Sequence, residues 1–191
     1  SVSSVRSALQ EIGSTDVRLP PRRNRPFRET PLMVASERGD VKMVRMLIVL
    51  GADVNAVNEF RQPPLLYATR AGAAEIVSLL LRSGADPNLK MSDGDVVLCE
   101  AARKGVSSRI ARALLKHGAD PRAVNKTGGT ALHMAAFQDR LDVAKLLLRA
   151  GADVNHRDRS GHGPLTCAIL GNNRDMALLL LVSGADPTKQ P

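Results

Sequence analysis

The sequence predicts an all-α fold, a solenoid of stacked helix-turn-helix units with hairpin-like connections between them. Three observations carry the prediction. A Gly-Ala-Asp triplet recurs at Gly51, Gly84, Gly118, Gly151 and Gly184, at intervals of 33, 34, 33 and 33 residues. Apolar columns keep the same period, and a fixed period of this length is the mark of a repeat array. The 191 residues are 43% hydrophobic but only 2% aromatic, with three Phe, one Tyr and no Trp. A core of Leu, Val, Ala and Ile favours many small helices in register.

The first helix of each unit carries a Leu column (Leu32, Leu65, Leu98, Leu132, Leu165) and an Ala column (Ala35, Ala68, Ala101, Ala135, Ala168). The second helix carries Leu47, Leu80, Leu114, Leu147 and Leu180, flanked by Ile48, Leu81, Leu115, Leu148 and Leu181. Gly39, Gly72 and Gly105 end the first helix, and Asp139 and Asn172 replace glycine in the last two units; all are types that tolerate a left-handed residue. Thr30-Pro31 and Thr130 stand where an N-cap hydroxyl and a first-turn proline belong. Helices of two to three turns are unstable alone in water, so stability must come from burying each unit on the next.

Gly129-Thr130-Ala131-Leu132-His133-Met134-Ala135 resembles the Thr-Pro-Leu-His-x-Ala signature of ankyrin repeats, and Thr30-Pro31-Leu32-Met33-Val34-Ala35 matches it with Met for His. With the Gly-Ala-Asp exits, the resemblance covers roughly 27–187. The organisation it implies is a half-repeat cap and basic, Pro-rich loop over 1–26, then repeats over 27–57, 58–90, 91–124, 125–157 and 158–191. The third repeat departs most: it lacks the Thr and His, and one extra residue near Ser107-Ser108 predicts a wider inter-helix loop. Val5, Leu9, Ile12 and Gly13 look like a second helix without its first half. The chain starts without Met or a signal-like stretch, and is expected to be a piece of something longer.

Little in the chain suggests chemistry. His117, His133, His156 and His162 do not pair at i, i+4 on a helix, and no Cys joins them at zinc-site spacing. Cys99 and Cys167 sit at first-helix core positions two units apart, too far for a disulfide, and are expected to be buried thiols. No glycine-rich phosphate loop follows a strand. The reading is therefore a protein with no catalytic residues, no cofactor and no metal. No apolar run approaches the ~20 residues that span a bilayer. The sequon Asn125-Lys126-Thr127 falls at a predicted hairpin tip, and in a cytoplasmic or nuclear protein it is expected to stay bare. Leu followed eight residues later by Asn, at Leu47/Asn55 and Leu147/Asn155, is similar to sites of asparaginyl hydroxylation in ankyrin repeats, so Asn55 and Asn155 are candidate modification sites.

The resemblance implies binding, with contacts from the inner face of each first helix and from the hairpin tips. Carried onto this chain, it gives a basic stripe of Arg38, Arg70, Arg103 and Lys104, with apolar anchors Phe27, Phe60, Phe137 and Leu170. Such a groove suits a protein or peptide segment with acidic residues followed by hydrophobic ones, because Arg pairs bidentately with carboxylates and exposed aromatics are frequent hot spots. Charge supports an alternative. Lys and Arg total 27 against 19 Asp and Glu, net +8, and Arg18, Arg22, Arg23, Arg25 and Arg28 cluster in the N-terminal loop. That footprint suits nucleic acid or an anionic membrane, although no stacking platform or recognition helix accompanies it. Leu178, Leu179, Leu180, Leu181 and Val182 make the last helix almost wholly apolar, where a terminal repeat normally has a polar outer face. Self-association through that helix is a third expectation.

Overall fold

A proline or a capping Thr starts most of the first helices, and an apolar stripe with a glycine exit defines each second helix. The computed structural model describes residues 28–103 and 106–189, and the described residues form ten α-helices in five pairs. These are α1 (Pro31–Glu37), α2 (Val41–Val49), α3 (Pro64–Arg70), α4 (Ala74–Arg82), α5 (Val97–Arg103), α6 (Ser108–Lys116), α7 (Ala131–Phe137), α8 (Leu141–Arg149), α9 (Pro164–Leu170) and α10 (Arg174–Val182). A short 3-10 turn, Pro187–Lys189, follows. The chain divides into two compact units, Ser1–Asp86 and Pro87–Pro191.

In the first unit α1 packs on α3, and each is backed by its own second helix, α2 or α4. In the second unit α5, α7 and α9 pack in sequence, backed by α6, α8 and α10. The helices are short, seven residues in each first helix and nine in each second, so their order comes from this packing. Both Leu columns and the Ala column are buried throughout; Leu32, Leu65, Leu98, Leu132, Leu80, Leu114, Leu147 and Leu180 are fully so. Small Ala side chains let neighbouring first helices approach, and the leucines fill the space between them.

The predicted helix exits appear as left-handed residues: Gly39 (φ 71°), Gly72 (φ 68°), Asp139 (φ 53°) and Asn172 (φ 58°). Gly105 lies outside the described residues. The extra residue of the third repeat lengthens the connection between α5 and α6, which runs over 104–107 where the other pairs are joined by three residues. Thr30 caps α1, its hydroxyl accepting from Met33 N at 3.3 Å.

One expectation about the cysteines needs correcting. Cys99 is buried, but Cys167 is only half-buried, because its turn of α9 faces partly outward. Both thiols are free. Burial pushes Cys99 up to about 12, with Asp95 adding to it, and Cys167 up to about 11, so both stay protonated at neutral pH.

Candidate recognition surface

The connections between repeats are built on side chains that copy backbone bonds. Asn58, Asn125 and Asp158 each occupy the first position of a hairpin loop. The Oδ1 of Asn58 accepts from Phe60 N and Gln62 N, that of Asn125 from Thr127 N and Gly129 N, and that of Asp158 from Ser160 N and His162 N, all at 2.9–3.0 Å. In the third repeat Met91 holds that place, with only a weakly accepting thioether, and Asp93 Oδ1 accepts from Asp95 N. The amide nitrogen of Asn125 is also engaged, Nδ2 donating to the buried Asp95 carboxylate at 2.8 Å.

At the repeat exits, Asn55 Nδ2 donates to Gly84 O and its Oδ1 accepts from Asp86 N. Asn88 does the same to Gly118 O and Asp120 N, and Asn155 to Gly184 O and Asp186 N. The two candidate modification sites are therefore tied at both ends of their amides, Asn155 exposed and Asn55 half-buried. In the third repeat the exit residue is Arg122, which donates through Nε to Gly151 O. Sequence reasoning overlooked Asn88 and Arg122 in this role, although the 33–34-residue spacing puts both in the column of Asn55 and Asn155.

Buried polar groups are networked. His133 Nδ1 lies 2.8 Å from the Thr130 hydroxyl, which donates to it, and its Nε2 donates to His162 O at 3.1 Å. That pattern fixes the neutral ring with hydrogen on Nε2. Burial lowers the His133 pKa, and the ring meets His156 edge-on with centroids 5.8 Å apart. In the first unit Asn58 Nδ2 donates to the Tyr67 hydroxyl at 3.1 Å, and burial followed by the neighbouring Glu29 raises the tyrosine pKa. Among the described residues no cluster of three or more His, Cys, Asp or Glu is arranged to hold a metal ion, and no helix is long and apolar enough to cross a membrane.

The predicted contact residues fall as follows. Arg38 and Arg70 are exposed, at the ends of α1 and α3 in the first unit, and Phe60 in the same unit is 43% exposed. In the second unit Phe137 and Leu170 stand at the ends of adjacent α7 and α9, 54% and 63% exposed. Ile169, which sequence reasoning did not single out, joins them at 61%. Its column is buried in every earlier repeat (Ser36, Thr69, Ala102, Ala136), so only the structure could show that it emerges. Asn173 reaches across from the next turn, its Nδ2 donating to Ala136 O and Phe137 O and holding the end of α7.

Arg103 stands beside two acids of its own repeat. Its guanidinium pairs with the carboxylate of Asp95 and approaches Glu100 at 4.0 Å, and both acids are buried. The charge of Arg103 is thus largely answered inside the repeat. The hairpin residues Glu29, Asp95 and Gly129 are buried as well, so at those places the hairpins offer no exposed contact. Phe27, Lys104 and the cluster Arg18, Arg22, Arg23 and Arg25 lie outside the described residues, as does the suggested N-terminal cap. Arg28 is exposed and lies 3.9 Å from Glu59.

Helices paired through short turns, left-handed exits and hairpin loops stapled by Asn and Asp side chains define a helix-turn-helix repeat protein. The register of its columns is more specific still. The chain belongs to the ankyrin-repeat family: the family model described as ankyrin repeats (3 copies) matches residues 4–91 and 93–191. Comparison with curated proteins returned no matching relative. Ankyrin repeats are generally protein–protein interaction modules, and typically non-catalytic ones.

Proposed function

We propose that this chain is a non-catalytic adaptor or scaffold that binds protein segments on the inner face of its first helices. The observation that carries the reading is the exposure of Phe137, Ile169 and Leu170 on adjacent helix ends of the second unit. A monomer rarely leaves a cluster of large apolar side chains in water without a partner for it, and an aromatic anchor amid polar residues has the composition of a hot spot. The partner segment for this patch carries apolar side chains. In the first unit Arg38 and Arg70 favour carboxylates. We place this binding in the cytoplasm or nucleus, where thiols such as Cys99 and Cys167 stay reduced.

The test is affinity capture from the cells of origin with three proteins: the wild type, Phe137→Ser/Leu170→Ser, and Arg38→Glu/Arg70→Glu. The expected result is loss of captured proteins in each variant with unchanged circular dichroism. Retention of every captured protein by the Phe137→Ser/Leu170→Ser variant sinks the reading. Capture that disappears on nuclease treatment would favour nucleic acid instead.

A further inference from the structure

The outer face of the second unit changes character along two columns of its second helices. One column runs Arg112, Lys145, Leu178; the next runs Lys116, Arg149, Val182. The four basic residues are not buried, and none of them forms an ion pair among the described residues. At the last helix the same two places are held by Leu178, 54% exposed, and Val182, 89% exposed, with Leu181 beside them at 41%. Burial does not account for this exchange, since the positions reach water in every helix of the series.

Between α8 and α10 lies a shallow groove of about 370 Å³, lined by Leu141, Lys145, Asp175, Leu178, Leu179 and Val182. Its floor is apolar, and its α8 side rises to Lys145 and Arg149 and continues to Arg112 and Lys116 on α6, which packs against α8. We propose that this groove is a second docking site, separate from the inner-face patch, and that its occupant is an amphipathic helix of another protein bearing acidic residues along the flank that faces α8. An apolar stripe recurring every three to four residues would lie on Leu141, Leu178, Leu179 and Val182, as in helix-in-groove recognition. The acidic flank would answer four cations that no carboxylate among the described residues neutralises.

Charge complementarity selects this occupant over two others. A second copy of the chain would bring the same excess of cations to the contact, and like charges set opposite one another oppose association. An anionic bilayer presents charge uniformly and would also meet the exposed carboxylates of Asp142 and Asp175 at the starts of α8 and α10, whereas a peptide helix can confine its acids to one flank.

The experiment titrates the full 191-residue chain into two fluorescent synthetic helices of about 18 residues, five turns long. Both carry one Leu stripe; one has a Glu flank and the other a Lys flank in the same places. The Glu-flanked helix is expected to bind at least about tenfold more tightly. Lys145→Glu/Arg149→Glu should reverse the preference, and Val182→Asp should weaken binding of the Glu-flanked helix about tenfold or more with helicity unchanged. Phe137→Ser/Leu170→Ser should leave it as it was, so that failure here and failure of the inner-face reading are told apart. Equal binding of both helices, binding to neither, or insensitivity to Val182→Asp overturns the proposal. So does co-sedimentation with phosphatidylserine–phosphatidylcholine vesicles that the Glu-flanked helix fails to displace, or a concentration-dependent dimer that Val182→Asp abolishes.

Discussion

Arg122 donates through Nε to the carbonyl of Gly151 at 2.8 Å, in the place where Asn55, Asn88 and Asn155 each make two bonds to the next repeat. The difference is chemical. A side-chain amide has a donor and an acceptor, whereas a guanidinium has donors only, so Arg122 has nothing to offer the Asp153 N–H. The ladder of exit bonds is one member short at this step.

Restoring it should stabilise the second unit. Arg122→Asn is expected to add one exit bond and raise stability by about 0.5–1 kcal/mol, the net worth of one partly exposed hydrogen bond. Asn155→Ala should lower it by a similar amount or slightly more. Urea unfolding of the two variants against the wild type checks both signs.

Glycine is required for different reasons at two left-handed positions. Gly39 has φ 71° and open space where a side-chain carbon would stand, while at Gly128 (φ 78°) the same carbon would lie 3.0 Å from Arg159 N. That nitrogen donates to Thr127 O at 2.9 Å, linking successive hairpins. Gly39→Ala should therefore cost only the backbone strain, about 1–2 kcal/mol, and Gly128→Ala distinctly more. Equal losses in thermal or urea unfolding would contradict the close approach.

Acid should weaken the second unit through His133. Its folded pKa is depressed, chiefly by burial, below the ordinary 6.5. The stability that follows from a neutral ring is fully present above about pH 6.5 and is lost as pH falls from there through the folded value, because the unfolded chain takes up the proton first. Urea midpoints at about pH 7.5 and about pH 5.5 should differ more in the wild type than in His133→Gln. A variant as acid-sensitive as the wild type would place the effect elsewhere.

The Asp95–Arg103 pair should be structural. Arg103→Ala leaves Asp95 and Glu100, each only 3% exposed as whole residues, without their guanidinium. The expected cost is about 1–3 kcal/mol, less than for a fully buried pair because the Arg103 side chain is 38% exposed. Leu114→Ala and Leu147→Ala, both at fully buried sites, should cost about 2–5 kcal/mol. Chemical denaturation of all three ranks them.

Much of the scaffold is legible in the residues alone. The Leu and Ala columns, the exits at Gly39, Gly72, Asp139 and Asn172, the Thr30 cap and the longer connection in the third repeat all depend on local backbone preference and on a repeated contact, and both are written at fixed spacing. Contact chemistry is less legible. Arg103 reads as one more member of a basic stripe until Asp95 and Glu100 are seen beside it, eight and three positions earlier but buried against it. Cys167 reads as core and turns half outward. Ile169 belongs to a buried column and is exposed.

Residue spacing was enough to specify the repeat, its register and the family, because a quasi-one-dimensional array asks the same few side chains of every unit. Which charges are already answered, and which apolar side chains are left in water, was settled by packing in three dimensions. Those outcomes depend on neighbours that lie about one repeat away or on another helix, and no single unit's spacing encodes them.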